Sequence, residues 1–135
     1  MKTLYRWLML LGAIALISCA HAPLPTAIAP QQLVEQLGQP HTPLILDVRT
    51  PAEYAGGHVP GAVNVPVQEL TEHLERLTAD GQQPIVVYCE GGPRARRAAA
   101  LLDQSGYDHL RLLTGHMAAW RAAGLPVEQA PQRVR

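Results

Sequence analysis

The residue best suited to covalent chemistry is Cys89, which follows the apolar run Pro84–Tyr88 (PIVVY) and opens the segment Cys89-Glu90-Gly91-Gly92-Pro93-Arg94. The thiolate is the nucleophilic form of cysteine, and helix N-termini and nearby cations make it form easily. Gly91 and Gly92 reach backbone conformations closed to other residues, so successive amides can converge into an anion-binding nest. Pro93 suits the first turn of a following helix. Arg94, Arg96 and Arg97 crowd that turn, where the helix macrodipole disfavours each cation by about 0.3–1 kcal/mol. Arginines set against the dipole point to an anion site. Arg94, which closes the loop, is the first candidate, while Arg96 and Arg97 fit a solvated basic face equally well.

Other polar residues read as support. Asp47 and Arg49 stand near the end of an apolar segment, where such a pair holds loops through ion pairs and backbone bonds. Glu53 is predicted as a helix cap, and His58 as a loop-bracing histidine, because an ionised thiol needs no general base. His116 is expected as an exposed residue at a helix start, with a place facing the active loop as the alternative. His21, His41, His73 and His109 lack metal-ligand spacing, so no metal is predicted. Tyr88 should face away from Cys89, since strand neighbours alternate sides. Trp120 and Leu125 read as packing groups.

A loop of this kind must hang from a sheet, and the pattern supplies one. Helices are predicted over 30–37, 67–77, 93–105 and 117–123, and strands over 44–48, 62–65, 84–88 and 109–113. Thr50-Pro51-Ala52-Glu53 is a capping box that opens a further short helix. Asp80-Gly81 is a turn, and Gly38, Gly106 and Gly124 are helix stops. Strands that alternate with helices and are apolar on both faces predict an α/β fold, an open parallel sheet with helices on both faces. Ligands of such sheets bind beyond the carboxyl ends of the strands, which is where Cys89 falls.

The 135 residues are 47% apolar and 16% charged, with 11 Lys+Arg against 11 Asp+Glu, which excludes a disordered or collagen-like chain. Residues 1–18 differ from the rest: Lys2 and Arg6 precede an apolar run from Leu8 to Ile17. A membrane span needs roughly 20 such residues, so the run reads as the core of an export signal. Leu16-Ile17-Ser18-Cys19 resembles the lipobox of bacterial lipoproteins, in which the cysteine is lipidated and becomes the first mature residue. Acylation of Cys19 would leave Cys89 as the one thiol, without a disulfide partner. Residues 19–29 are predicted as a tether, 30–127 as one domain and 128–135 as a loose polar tail. Cleavage would remove Lys2 and Arg6 and leave a slightly acidic chain, so nucleic-acid binding is not expected. The expected location is the periplasm, with a lipid anchor in the membrane. Ala20 after the cysteine resembles outer-membrane lipoproteins.

Three segments resemble the rhodanese family. DVRTPAEYAGGHVPGAVNVP (Asp47–Pro66) is similar to its opening motif, CEGGPR (Cys89–Arg94) to its C-x-x-G-x-R active loop, and LLTGHMAAWRAAGLPV (Leu112–Val127) to its closing motif. Together they cover nearly all of the predicted domain, whose size and export signal resemble the small exported single-domain members. The resemblance implies a thiosulfate:acceptor sulfurtransferase. Cys89 would attack the outer sulfur of a small anionic donor and carry that sulfur as a persulfide. The loop from Glu90 through Gly91, Gly92 and Pro93 to Arg94 would bind the donor, with its amides holding the negative charge and Arg94 steering the anion. Cyanide or a thiol would then accept the sulfur. Asp47, Arg49 and Arg97 are candidates for support around the loop. No metal, nucleotide or other cofactor is implied, and a monomer is expected.

Loop length separates this chain from phosphatases and arsenate reductases of related fold, which use C-x5-R. Here Ala95 stands at the place of that arginine. A persulfide carrier without turnover, or a redox-sensing module, remains an alternative of another class, and a disulfide oxidoreductase lacks its resolving cysteine. Two departures from the family pattern stand out. His116 follows Gly115 where the closing motif often reads Gly-Gly. Glu90 sets a carboxylate beside the sulfur, and that is expected to repel thiosulfate and weaken its binding.

Overall fold

Five short runs of mainly apolar residues pair into one sheet. The structure, a computed structural model, describes residues 26–77 and 83–130. In chain order the elements are β1 (Thr26–Ile28), α1 (Pro30–Gln36), β2 (Leu44–Asp47), α2 (Pro51–Ala55), β3 (Val63–Asn64), α3 (Leu70–Leu77), β4 (Ile85–Tyr88), α4 (Pro93–Gln104), β5 (Leu110–Leu113) and α5 (His116–Ala122). The strand order is β1-β5-β4-β2-β3 and every pair is parallel. β4 is central, with Val87 aligned on Leu46 of β2 and on Leu112 of β5.

Alternation along the strands divides the core in two. Leu46, Ile85, Val87 and Cys89 face the side covered by α3 and α4, with Leu70, Ala98 and Leu102. Ile45, Val86 and Tyr88 face the other side, with Leu33 of α1 and Met117 and Trp120 of α5. The predicted two-sided parallel sheet is therefore present, and Tyr88 turns away from Cys89 as expected. Trp120 is fully buried and its indole N–H donates to the Pro126 carbonyl at 2.7 Å.

Several boundaries move. The expected tether ends earlier, because Thr26–Ile28 add an edge strand to β5 and Ile28 is buried. Three residues are too few to show a strand period beside alanine and proline. The expected loose tail begins later, since the backbones of Glu128 and His58 exchange two hydrogen bonds of 2.9 Å. The Glu128 carboxylate also accepts from the Gly61 amide at 2.9 Å. In the predicted 67–77 helix, 67–69 form a turn and α3 starts at Leu70. The export signal, Cys19, the first part of the tether and the Asp80-Gly81 turn lie outside the described residues.

Candidate active site

β4 delivers Cys89 to the carboxyl edge of the sheet between the ends of β2 and β5. The loop that follows is fastened by its carbonyls. Met117 and Ala118, in the first turn of α5, donate their amides to the carbonyls of Cys89 (3.0 Å) and Glu90 (3.2 Å). Those amides have no partner within their own helix, so the active loop caps α5. Gly92 then turns the chain at a φ of 122°, outside the range of ordinary side chains, and its amide donates to Cys89 Sγ at 3.0 Å. α4 begins at Pro93, with the Arg96 amide donating to the Gly92 carbonyl at 3.0 Å. Pro93 has no N–H, so it shapes the loop without adding a donor.

The sulfur lies at the bottom of this arrangement, with Cys89 only 1% exposed. Gly91 and Pro93 are the exposed residues of the loop, and a Cβ at Gly91 would meet open space.

The charges are arranged differently from expectation. Arg94 makes a two-pronged ion pair with Glu53 of α2, at 2.7 and 2.8 Å. Arg94 holds the Glu53 carboxyl down at about 2, and Glu53 holds the Arg94 guanidinium above the usual arginine range, with smaller contributions from Cys89 and Asp47. Glu53 is thus both the expected cap, completing the capping box with Thr50, and a partner for the active loop. Glu90 is not a bare carboxylate beside the sulfur, because it is paired with Arg121 of α5 and lies 3.5 Å from Arg49 Nη1. Its expected repulsion of an anionic donor is correspondingly offset. Arg97 is exposed and makes no ion pair among the described residues.

Asp47 and Arg49 form a buried clamp. Arg49 Nη2 donates to Asp47 Oδ2 at 2.7 Å and to the Gly57 carbonyl at 2.8 Å, while its Nε reaches both oxygens of Asp47. Asn64 fastens the same turn by donating to the carbonyls of Asp47 and Arg49. His58 braces this region as predicted: it stacks on Tyr54, and its Nδ1 lies 2.8 Å from the Tyr54 carbonyl.

His116 takes the second of its two readings and faces the loop. It is 7% exposed, not a surface residue, and its Nδ1 accepts a long hydrogen bond of 3.4 Å from the Cys89 amide. The left-handed turn at Gly115 and His116 (φ 67° and 54°) aims the ring at the loop. Burial pushes its pKa down, and the charge of Arg96 pushes it further, so the neutral ring is favoured. Sequence spacing does not reveal this contact, nor that of Arg121 with Glu90. The visible signal was a histidine directly after Gly115, where the closing motif often has a second glycine.

The one cysteine among the described residues is buried at the end of a central parallel strand, beneath a glycine turn and ahead of a helix, in an α/β domain whose sheet ends at that sulfur. The rhodanese-like domain family matches residues 29–123, and the chain belongs to that family. It is 34% identical to a protein named sulfurtransferase from Allochromatium vinosum, across 72% of this chain and 89% of that one. With the thiosulfate sulfurtransferase GlpE of Haemophilus influenzae the identity is 31%, across 76% of this chain and 94% of the relative. With thiosulfate sulfurtransferase PspE of Escherichia coli it is 35%, across 48% of this chain and 62% of the relative. Among solved structures, a rhodanese-related protein from Thermoplasma volcanium superposes with a TM-score of 0.68 at 28% identity, covering 78% of this chain and 99% of the other. A thiosulfate sulfurtransferase from Pseudomonas aeruginosa gives 0.69 at 36% identity, covering 82% of this chain but 21% of that longer one.

Proposed function

We propose that this domain is a thiosulfate:acceptor sulfurtransferase that carries sulfur as a Cys89 persulfide. The supporting observation is the Gly92 amide directed at Sγ within a loop whose carbonyls are held by α5. An amide aimed at sulfur is a preorganised donor to negative charge there. The Cys89 thiolate attacks the outer sulfur of thiosulfate and a new S–S bond forms. The bond from that sulfur to the sulfonate sulfur breaks, and sulfite leaves with the electron pair. Cyanide or a thiolate then attacks the terminal sulfur of the persulfide, and the Cys89 thiolate departs. Neither half-reaction calls for a metal or an organic cofactor. The enclosed position of Cys89 restricts water around the persulfide between the two steps. We further propose, from the leader sequence, that the domain works in the periplasm on a lipid anchor at Cys19.

The test is thiocyanate formation from thiosulfate and cyanide. Cys89→Ser should reduce it to background and leave the circular dichroism spectrum unchanged; turnover surviving in that variant would overturn the assignment. Loading with a single sulfur and no further turnover would make the domain a carrier instead. Mass spectrometry of the mature protein reads both proposals at once, as acylation at Cys19 and the mass of one added sulfur on Cys89.

A further inference from the structure

Two side chains meet at the Gly92 corner of the loop and have no part in the steps above. A Cβ placed on Gly92 would stand 2.8 Å from Arg96 Nη1 and 3.1 Å from His116 Nε2, so both nitrogens lie against the residue whose amide holds the sulfur. The His116 ring has a defined polarity. Because Nδ1 accepts from the Cys89 amide, the proton of the neutral ring sits on Nε2, which is therefore a donor. No fully buried side-chain nitrogen or oxygen lacks a partner among the described residues, and Nε2 makes no hydrogen bond to any of them. Nε2 accordingly keeps a window to solvent.

Arg96 is distinguished by its charge. Four arginines touch or belong to the loop region, and three are matched to carboxylates: Arg94 to Glu53, Arg49 to Asp47, and Arg121 to Glu90. Arg96 forms no ion pair among the described residues. Arg97 of the same turn is likewise unpaired among the described residues, but of the two it is Arg96 whose guanidinium lies against Gly92, where it can meet an incoming anion.

We propose that Arg96 and the Nε2–H of His116 together hold the oxyanion end of the sulfur donor at the Gly92 corner. The outer sulfur of a thiosulfate-like donor is thereby presented to Cys89. This rests on the sulfurtransferase reading of Cys89 and makes Arg96 the specificity-determining cation for a doubly charged donor.

Steady-state kinetics with thiosulfate and cyanide test it. Arg96→Gln should raise the KM for thiosulfate about tenfold, the loss of one charge-assisted contact, with kcat at saturation and the KM for cyanide little changed. Arg96→Lys should recover part of the affinity, and Arg76→Gln, a remote charge loss on α3, should change nothing. His116→Asn keeps an acceptor for the Cys89 amide and suits a left-handed backbone, but lacks the Nε2 donor. It should raise the same KM by a smaller factor. An Arg96→Gln enzyme with unaltered KM for thiosulfate overturns the proposal and leaves the persulfide chemistry standing. Calorimetric binding of thiosulfate to Cys89→Ser protein reads the same contact without turnover. Equal affinity with and without Arg96 there also overturns it, whereas a Cys89 that never acquires sulfur overturns the underlying reading instead.

Discussion

The loops that leave β2 and β4 lie next to each other at the carboxyl edge of the sheet, and each carries arginine and acid. After β2, Asp47 and Arg49 are buried and turned on one another, with Gly57 and Asn64 completing their hydrogen bonds. Nothing of that pair is left over for a ligand. After β4, it is the backbone that is organised: carbonyls point to α5, and the Gly92 amide points to sulfur. The acid of this loop, Glu90, is held by Arg121 at the surface and by the buried Arg49 below it. The same residue types therefore make a clamp in one loop and a cradle for the Cys89 sulfur in the other. What differs is whether the side chains or the amides do the binding.

Asp47→Ala should strike the clamp hardest. It takes the main partner from the buried Arg49 guanidinium, which keeps only the Gly57 carbonyl and the longer contact with Glu90, a loss of about 3–5 kcal/mol. That is a large share of a small domain's stability, and it should lower Tm by about ten degrees or more. Thermal denaturation measures it, and an unchanged Tm would show that the clamp is not structural. The protein still folded at low temperature should keep the wild-type KM for thiosulfate, because Asp47 holds the neighbouring loop and not the donor.

Gly92→Ala should instead strike the cradle. The backbone φ of 122° costs a side chain about 1–3 kcal/mol, and its Cβ would press on His116 Nε2 as well as on the more mobile end of Arg96. We expect turnover to fall about tenfold or more with a smaller change in Tm. Gly91→Ala, one residue earlier, meets open space and should be close to neutral. Equal damage from both substitutions would show that the loop needs flexibility at large, not one fixed turn.

The sheet, its helical layers and the position of Cys89 were readable in the sequence, because unbroken apolar runs and a glycine loop are local signals. The Thr50 capping box and the packing of Trp120 were readable for the same reason. β1 escaped notice because its pairing with β5 is a tertiary contact with little local pattern behind it. The pairing of Arg94 with Glu53, that of Glu90 with Arg121 and the inward turn of His116 each join residues 27 to 41 positions apart. Nothing in the residue spacing ranks one long-range partner over another, so motif reading marked Arg94 for the donor while the contacts leave Arg96 unpaired.

The mildest substitution tests the joint between the two loops. Glu53 of α2 and Arg94 of the active loop tie them together across the surface, and both are partly exposed. The Glu53 carboxyl is lowered from 4.5 to about 2 in the folded protein, mainly by its hydrogen bonds from Arg94. A lowered carboxyl stabilises the fold above its unfolded value and loses that contribution as the pH falls through the window from 4.5 to about 2. Glu53→Gln should therefore flatten the acid limb of the stability curve in that window and cost little at neutral pH, since exposed pairs contribute modestly. The same variant frees the Arg94 guanidinium. If Arg94 serves the fold, the KM for thiosulfate should stay within about twofold of wild type. A marked fall in KM would mean that Glu53 had been competing with the donor for Arg94, and would move the anion contact from Arg96 back to the residue that closes the loop.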